Sequence, residues 1–542
     1  MLRIRTRPGA LRLVLLVRGL YADCVVNSAM KGSDRQLRKC VRDICSALVF
    51  VLPLAACHGG IHQVGDAGPN REAGIIDVQL LGPSEDPVAV DASVDAGPLT
   101  EAGSVDVQPV DIATDATEEA ASCKAPEEAP GTLLWAQSTP ASLAMMAPGA
   151  CDDVFLLGIS QNPVTFAGQQ LPGASFLTHV GGSGAASWVR SWTAANTGIL
   201  DMAGLPGGRL MAVGQFAGPV DFGGPQVAVG NSLDAFVTRY DAQGDLLSFV
   251  QYGNEKSQWA DSVATNGAGD ALVVANGYGT ADFGTGALAL PAMVLFASDG
   301  HVKWARQFPV PLAGSLLALD DRGTATIVSG MNGPIDLGGG SIGSAMAGAA
   351  QNRQFFVASF DAAGTLRWSK AFTNGSVTGL AALSNGDLAM TGGALAPATD
   401  TPPFDMGCGL VNTGVFSAKL SSDGICQWIR TLTATEHPNM AVIGDDLVLA
   451  GRTLGTPVDP ELGPLPGSGT LFVERISAAG TVRWSRVFGQ LSPGNIAAVY
   501  AIAASPAAIW INGPFSGNLD LGNGAMVSTS QNTDSFLAQL AP

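Results

Sequence analysis

The stretch Phe355-Phe356-Val357-Ala358-Ser359-Phe360-Asp361-Ala362-Ala363-Gly364-Thr365-Leu366-Arg367-Trp368 decides how the rest of the chain is read. Its first half is a short apolar run with β-forming residues. Asp361 and Gly364 then supply turn chemistry, because Asp bonds to nearby backbone and Gly tolerates positive φ. A Trp follows four residues after the Gly. The same order, strand then turn then Gly-x-x-x-Trp, recurs through the body of the chain.

The Gly-x-x-x-Trp copies begin at Gly131, Gly184, Gly300, Gly364, Gly424 and Gly480 and place Trp135, Trp188, Trp304, Trp368, Trp428 and Trp484. A seventh copy, at Gly244, has Ser248 in place of Trp. The spacings are 53, 60, 56, 64, 60 and 56 residues. A second signal is an Asp-Phe-Gly-like turn: Asp221-Phe222-Gly223, Asp282-Phe283-Gly284, Asp336-Leu337-Gly338, Asp405-Met406-Gly407 and Asp520-Leu521-Gly522, with weaker copies at Phe166-Ala167-Gly168 and Glu461-Leu462-Gly463. Between these marks lie short apolar segments bounded by Gly, Asn, Asp and Ser, which is hairpin chemistry without a 3.6-residue period. In one unit the strands are expected near 379–383, 387–392, 415–420 and 425–432. Four strands in about 58 residues, repeated, predict an all-β chain: a seven-bladed β-propeller of four-stranded blades. Asp534–Leu540 matches the third strand of a unit, and the strand over 131–137 stands alone. Pairing the two predicts that the N-terminal strand completes the last blade.

These repeats resemble those of bacterial β-propeller-repeat lipoproteins of the SBBP type. Asp361–Trp368 is also similar to the tryptophan-docking motif of quinoprotein-like propellers and of the outer-membrane assembly scaffold lipoprotein. The resemblance implies architecture rather than activity, and those relatives usually have eight blades where this chain counts seven.

Composition varies along the chain. Residues 1–57 carry ten basic and three acidic residues, 58–128 two and fifteen, and the remaining 414 sixteen and twenty-eight, giving −18 overall. A basic patch for nucleic acid is not expected from this balance. Arg35, Arg38, Lys39 and Arg42 precede an apolar run over 46–56, too short to span a bilayer. The run ends Leu54-Ala55-Ala56-Cys57, which resembles the bacterial lipobox, whose Cys thiol takes lipid as its leader is removed. Residues 30–57 thus read as a lipoprotein signal peptide with Cys57 the lipidation site, and 1–29 as an extension from a misassigned start codon. His58, rather than Asp, favours the outer membrane of a Gram-negative cell. Residues 58–129 lack aromatics and are rich in Asp, Ala, Val, Pro and Gly, so they form an acidic disordered tether with an r.m.s. span of roughly 45–50 Å. The propeller takes 130–542.

Four cysteines remain after Cys57. Cys123 precedes the closing strand and Cys151 sits at the first turn of the next blade, on one face, so a Cys123–Cys151 disulfide is expected; Cys408–Cys426 follows by elimination if the chain doubles back between them.

The repeated Trp residues read as packing between blades, and the Asp of each Asp-x-Gly turn as an acceptor for backbone N–H groups. No catalytic residue, metal site or cofactor is expected. His179, His301 and His437 fall at unrelated repeat positions. Gly339-Gly340-Ser341-Ile342-Gly343 matches G-x-S-x-G without a strand-to-helix elbow, and Gly338-x-Gly340-x-x-Gly343 lacks a βαβ unit. Asp320-Asp321 and Asp445-Asp446 read as turns, lacking the spacing of a calcium loop. Carboxylate pairs for acid–base work cannot be chosen without geometry. The longest connections, 331–354 and 393–414, the second holding Pro397, Pro402, Pro403 and Phe404, are the candidate ligand loops. The expected function is a membrane-anchored, non-catalytic binding or scaffolding module for a protein or glycan. The alternative is a propeller enzyme, a lyase, glycoside hydrolase or quinoprotein, with its site at one mouth of the channel.

Overall fold

The computed structural model describes residues 2–7, 10–17, 20–27, 123 and 126–542, the last with breaks at 172, 194–196, 225–231, 254–255, 313, 345–353, 396–402, 412, 460–462, 465–469, 492–494 and 530–532. The expected signal segment, Cys57 and most of the tether lie outside the described residues. Two compact units are distinguished, 1–111 and 112–542. In the first, Leu2–Arg7, Ala10–Val17 and Leu20–Asn27 form a three-stranded antiparallel sheet.

The second unit is all-β: among the described residues there is no helix. Five four-stranded sheets and one eight-stranded sheet carry it, all antiparallel. Sheet 1 runs Ser142–Pro148, Val154–Ile159, Ser175–Val180, Ala186–Trp192. Sheet 2 runs Gly198–Leu205, Arg209–Phe216, Asp234–Tyr240, Leu246–Tyr252. Sheet 3 runs Gln258–Thr265, Ala271–Gly277, Ala292–Phe296, Val302–Gln307. Sheet 4 runs Leu316–Leu319, Ala325–Met331, Gln354–Phe360, Leu366–Thr373. Sheet 5 is one sheet because Cys426–Ile443 is continuous; seven strands follow one path, and the short Gly463–Pro464 pairs with Asp446–Asp459 as the eighth. The first half of Cys426–Ile443 pairs with Gly414–Leu420 and its second with Asp446–Asp459. Sheet 6 joins Ala501–Ala504, Ile509–Phe515 and Asp534–Leu540 to Leu133–Thr139, with Trp135 opposite Gln539.

Within sheets 1 to 4 the strands follow chain order, so each is a meander, with the long connections falling between the second and third strands. Short apolar segments with Gly-rich turns leave the chain few other choices. The first strands of successive sheets touch one another, and Ala501–Ala504 of sheet 6 touches Ser142–Pro148 of sheet 1. The core is divided accordingly into apolar clusters lying between neighbouring sheets. One joins Leu272, Met293 and Trp304 of sheet 3 to Ile327, Phe356 and Phe360 of sheet 4. Another joins Leu143, Val154 and Phe176 of sheet 1 to Trp510 and Leu537 of sheet 6.

The repeated Trp residues lie at these junctions. Each indole rests on the Gly of the following copy: Trp135 on Gly184, Trp188 on Gly244, Trp304 on Gly364, Trp368 on Gly424, Trp428 on Gly480 and Trp484 on Gly131. A Cβ at Gly424 would stand 2.9 Å from the Trp368 ring, and its φ of +74° disfavours any L side chain, so only Gly fits. Four of the indoles also donate across the junction: Trp135 to Gly182 O, Trp188 to Ala242 O, Trp368 to Ser422 O and Trp428 to Ala478 O, at 2.7–3.1 Å. Ser248 breaks the series. There Arg239, opposite Ser248 on the adjacent strand, reaches over and donates to Ser298 O (2.7 Å) and Ala297 O (2.9 Å), with Gly300 beside its guanidinium.

A partner of the Trp was not read from the sequence. The side chain two residues further on donates to the same Gly: Gln137 to Gly184 O, Arg190 to Gly244 O, Arg306 to Gly364 O, Lys370 to Gly424 O and Arg430 to Gly480 O. The motif is therefore Gly-x-x-x-Trp-x-(Arg/Lys/Gln), an apolar dock beside a polar latch.

Candidate functional site: the central depression

The first strands line an open depression of about 190 Å³. Met145, Met440 and Tyr500 give it a soft apolar wall; Asp201, Thr378 and Asn439 are its polar groups. Several of these strands carry a register shift at the same level: between Leu143 and Met145, Ile199 and Asp201, Ala260 and Ser262, and Val377 and Gly379. An extra residue in one strand rotates the side chains that follow, so polar groups reach the wall from strands that are otherwise apolar.

Asp201, on the wall, and Asp261, which feels its charge from the neighbouring sheet, are the chemically distinct groups. The Asp201 carboxylate accepts N–H bonds from Met202 (2.9 Å) and from Val263 of the next sheet (2.8 Å). Asp261 accepts from Asn276 Nδ2 (2.8 Å), while its Oδ1 is buried without a hydrogen-bond partner. Burial outweighs these donors. It pushes Asp201 up to about 6 and, with the nearby Asp201 charge adding to it, Asp261 up to about 7. A carboxyl that titrates near neutrality can hold a proton or accept one, and this pair was invisible in sequence because Asp201 and Asp261 sit in different repeats.

The Asp of each Asp-x-Gly turn accepts N–H bonds at 2.7–3.0 Å: Asp221 from Gly223 and Gly224, Asp282 from Gly284 and Gly286, Asp336 from Gly338, Asp405 from Gly407 and Asp520 from Gly522. Among the described residues, the turns at Asp282, Asp336, Asp405 and Asp520 close small hairpins between the second and third strands, such as Thr280–Asp282 with Ala287–Ala289. Gly339–Gly343 falls in the hairpin Ile335–Asp336 with Ser341–Ile342. Asp321 accepts from Gly267 N and Asp445 from Ser384 N, so both acidic pairs tie a turn to the preceding turn.

Of the candidate loops, 345–353 and 396–402, with Pro397 and Pro402, lie outside the described residues. Phe404 is fully buried between Phe355 and Phe416, a core residue rather than a ligand-facing one. The structure places Cys123 and Cys151 in a disulfide with Cα atoms 5.2 Å apart, and Cys408 and Cys426 in another at 5.6 Å. The chain doubles back between the latter two because the hairpin Phe404–Asp405 with Leu410–Val411 precedes the strand Gly414–Leu420. His301 is exposed and bonded to Asp299. The side chain of His437 lies outside the described residues.

No family model matches the chain, and no curated protein does. Among solved structures it is similar to the WD40 domain of Pan2 from Neurospora crassa (10% identity, 77% of this chain and 97% of that one, TM-score 0.39). It is also similar to the propeller of Dos1 (8% identity, 75% and 94%, TM-score 0.38). A third is the quinohemoprotein alcohol dehydrogenase of Comamonas testosteroni (9% identity, 76% of each chain, TM-score 0.33).

Proposed function

We propose that the chain is an exported lipoprotein, acylated at Cys57, whose 58–129 tether holds a seven-bladed β-propeller off the outer membrane. The propeller acts as a binding or scaffolding module. It recognises a protein or glycan partner rather than turning over a substrate in its channel.

The observation that carries the architecture is the docking cycle. Followed from Trp135, the contacts pass from each sheet to the next, with Arg239 standing in at Ser248, and Trp484 returns to Gly131, four residues before the start. The eight-stranded sheet counts as two blades in this reading. Leu383, Ala389 and Leu432 of its first half pack on Leu447, Phe472 and Ile476 of its second, as separate sheets do elsewhere in the chain. Interlocked wedges give a stiff frame, and a stiff frame with hairpins at its rim and an open central depression suits recognition.

Growing cells on an alkyne palmitate tests the anchor. The full-length chain should label and partition with outer-membrane vesicles, and the Cys57→Ala variant should lose both. A label that survives Cys57→Ala, or a wild-type protein found free in the periplasm, removes the reading.

A further inference from the structure

Asp153, His179 and Ser187 come together on sheet 1 in an order the sequence does not announce. Ser187 Oγ lies 2.8 Å from His179 Nδ1, and His179 Nε2 lies 2.6 Å from Asp153 Oδ2. Asp153 Oδ1 accepts the Cys151 N–H at 2.9 Å. The bonds from His179 and Cys151, and the nearby imidazole, outweigh burial and hold this carboxyl below its usual range. An ionised Asp153 only accepts, so Nε2 carries the proton and Nδ1 presents its lone pair to the Ser187 hydroxyl. The imidazole is fixed in plane, stacked at 11° on Trp188 and 4.8 Å from Phe155. Ser187 sits at the register shift between Ala186 and Trp188, and it is exposed while His179 is 9% exposed. The other acceptor near the hydroxyl, His179 O, is at 3.5 Å.

Other repeats fill the same three positions differently. Asp387 meets Lys419 (3.0 Å) and Gln427 (3.2 Å); Asp446 meets Arg475 (2.8 Å) and Arg483 (2.5 Å). A Lys or Arg at the middle position is a fixed cation that braces the strands. In sheet 1 that position is an imidazole, which can take a proton, and the residue beyond it is a nucleophile.

We propose that Ser187, His179 and Asp153 form a nucleophile–base–carboxylate array that transfers acyl groups from small activated esters. Ser187 Oγ bonds to the acyl carbon as its proton passes to His179 Nδ1. The ester C–O bond breaks, and the departing alcohol takes that proton. Water then attacks the acyl-serine, giving one proton to His179 and returning it to Ser187 as the acid leaves. Asp153 is a positioning residue, and its loop is anchored by the Cys123–Cys151 disulfide. The exposed strand edge suits a short acyl chain rather than a long one. This array stands apart from the central depression and does not rest on the proposed partner recognition.

The test uses the full chain with a fluorophosphonate probe and p-nitrophenyl acetate. Wild type should take one label, on Ser187, fluoride and the serine proton leaving as the P–O bond forms. Ester hydrolysis should be lost together with the label in Ser187→Ala. His179→Lys recreates the Lys419–Asp387 brace, so it should melt like wild type yet label about 100-fold or more slowly. Should that variant fail to fold, Ser187→Ala decides, since it deletes only an exposed hydroxyl and must abolish the label. Wild type without a label at Ser187, or His179→Lys labelling at the wild-type rate, overturns the proposal.

Discussion

At the scale of single residues, the repeat was legible wherever a side chain has one job in every copy. Trp and Gly recur because each indole needs a bare Cα to rest on, and the turn Asp recurs because each tight turn leaves N–H groups to satisfy. The residues with individual chemistry were not legible. Asp201 and Asp261 approach through strand bulges in different repeats, and Asp153, His179 and Ser187 are 26 and 8 residues apart with no motif among them. Asp261 gives a direct measurement. Folding lifts its carboxyl from 3.8 to about 7, so between pH 4 and 7 the folded state holds a proton that the unfolded chain has released. Stability from this group is therefore present at low pH and lost as pH rises through that window. Asp153 and Asp387, held low, act with the opposite sign, and only as pH falls below about 4. Each tenfold change in proton affinity is worth about 1.4 kcal/mol. Asp261→Asn keeps an acceptor for Asn276 and removes the titration. Its melting temperature should change less between pH 5 and 8 than wild type's, and at pH 8 it should exceed wild type. An unchanged difference between the two pH values would refute the assignment.

At the scale of elements, the four-strand rhythm could be read because apolar segments and turns alternate, but the extra hairpins could not, being two or three residues per arm. Those hairpins fold over the outermost strand at a constant position. The residue three beyond the turn Asp faces the residue two beyond the repeat Gly: a Cβ at Gly224 would stand 2.7 Å from Leu246, and one at Gly339 3.0 Å from Leu366. Cys408 and Cys426 occupy these two places, and a covalent bond there replaces a Gly–Leu contact. A bridge closing a loop of this length contributes about 3 kcal/mol. Cys408→Ser with Cys426→Ser should lose most of that. Cys408→Gly with Cys426→Leu should recover about 1 kcal/mol by restoring the apolar contact of the other copies. Urea titrations of both variants settle it, and a Gly–Leu pair less stable than the Ser–Ser pair would show that the positions are not equivalent.

At the scale of the whole molecule, the proposed cycle of docks has no natural first member. The junction at Gly131 is built like every other turn between third and fourth strands, except that it is cut. Gly131 N donates to Ala541 O and Ala541 N to Thr132 O, at 2.9 and 2.8 Å, as Gly364 N donates to Asp361 O and Asp361 N to Thr365 O. Ala541, Pro542, one further residue and Gly131 would reproduce the four-residue span of Asp361–Gly364. A permuted chain that begins at Ala141, runs to Pro542 and continues through one linking residue into 131–140 therefore keeps every dock of the cycle; it loses the tie from Cys123 and the bond from Thr132 N to Ala129 O. Compared with an unpermuted chain carrying Cys123→Ser and Cys151→Ser, the permuted chain with Cys151→Ser should fold and melt within about 5 °C, because rejoining the turn changes only a loop-closure term. Deleting 131–140 instead leaves Asp534–Leu540 an unpaired apolar edge and strips Trp484 and Gly184 of their partners, which favours aggregation. If the permuted chain aggregates as the deletion does, Leu133–Thr139 is not the strand that closes the ring, and the proposed architecture falls with it.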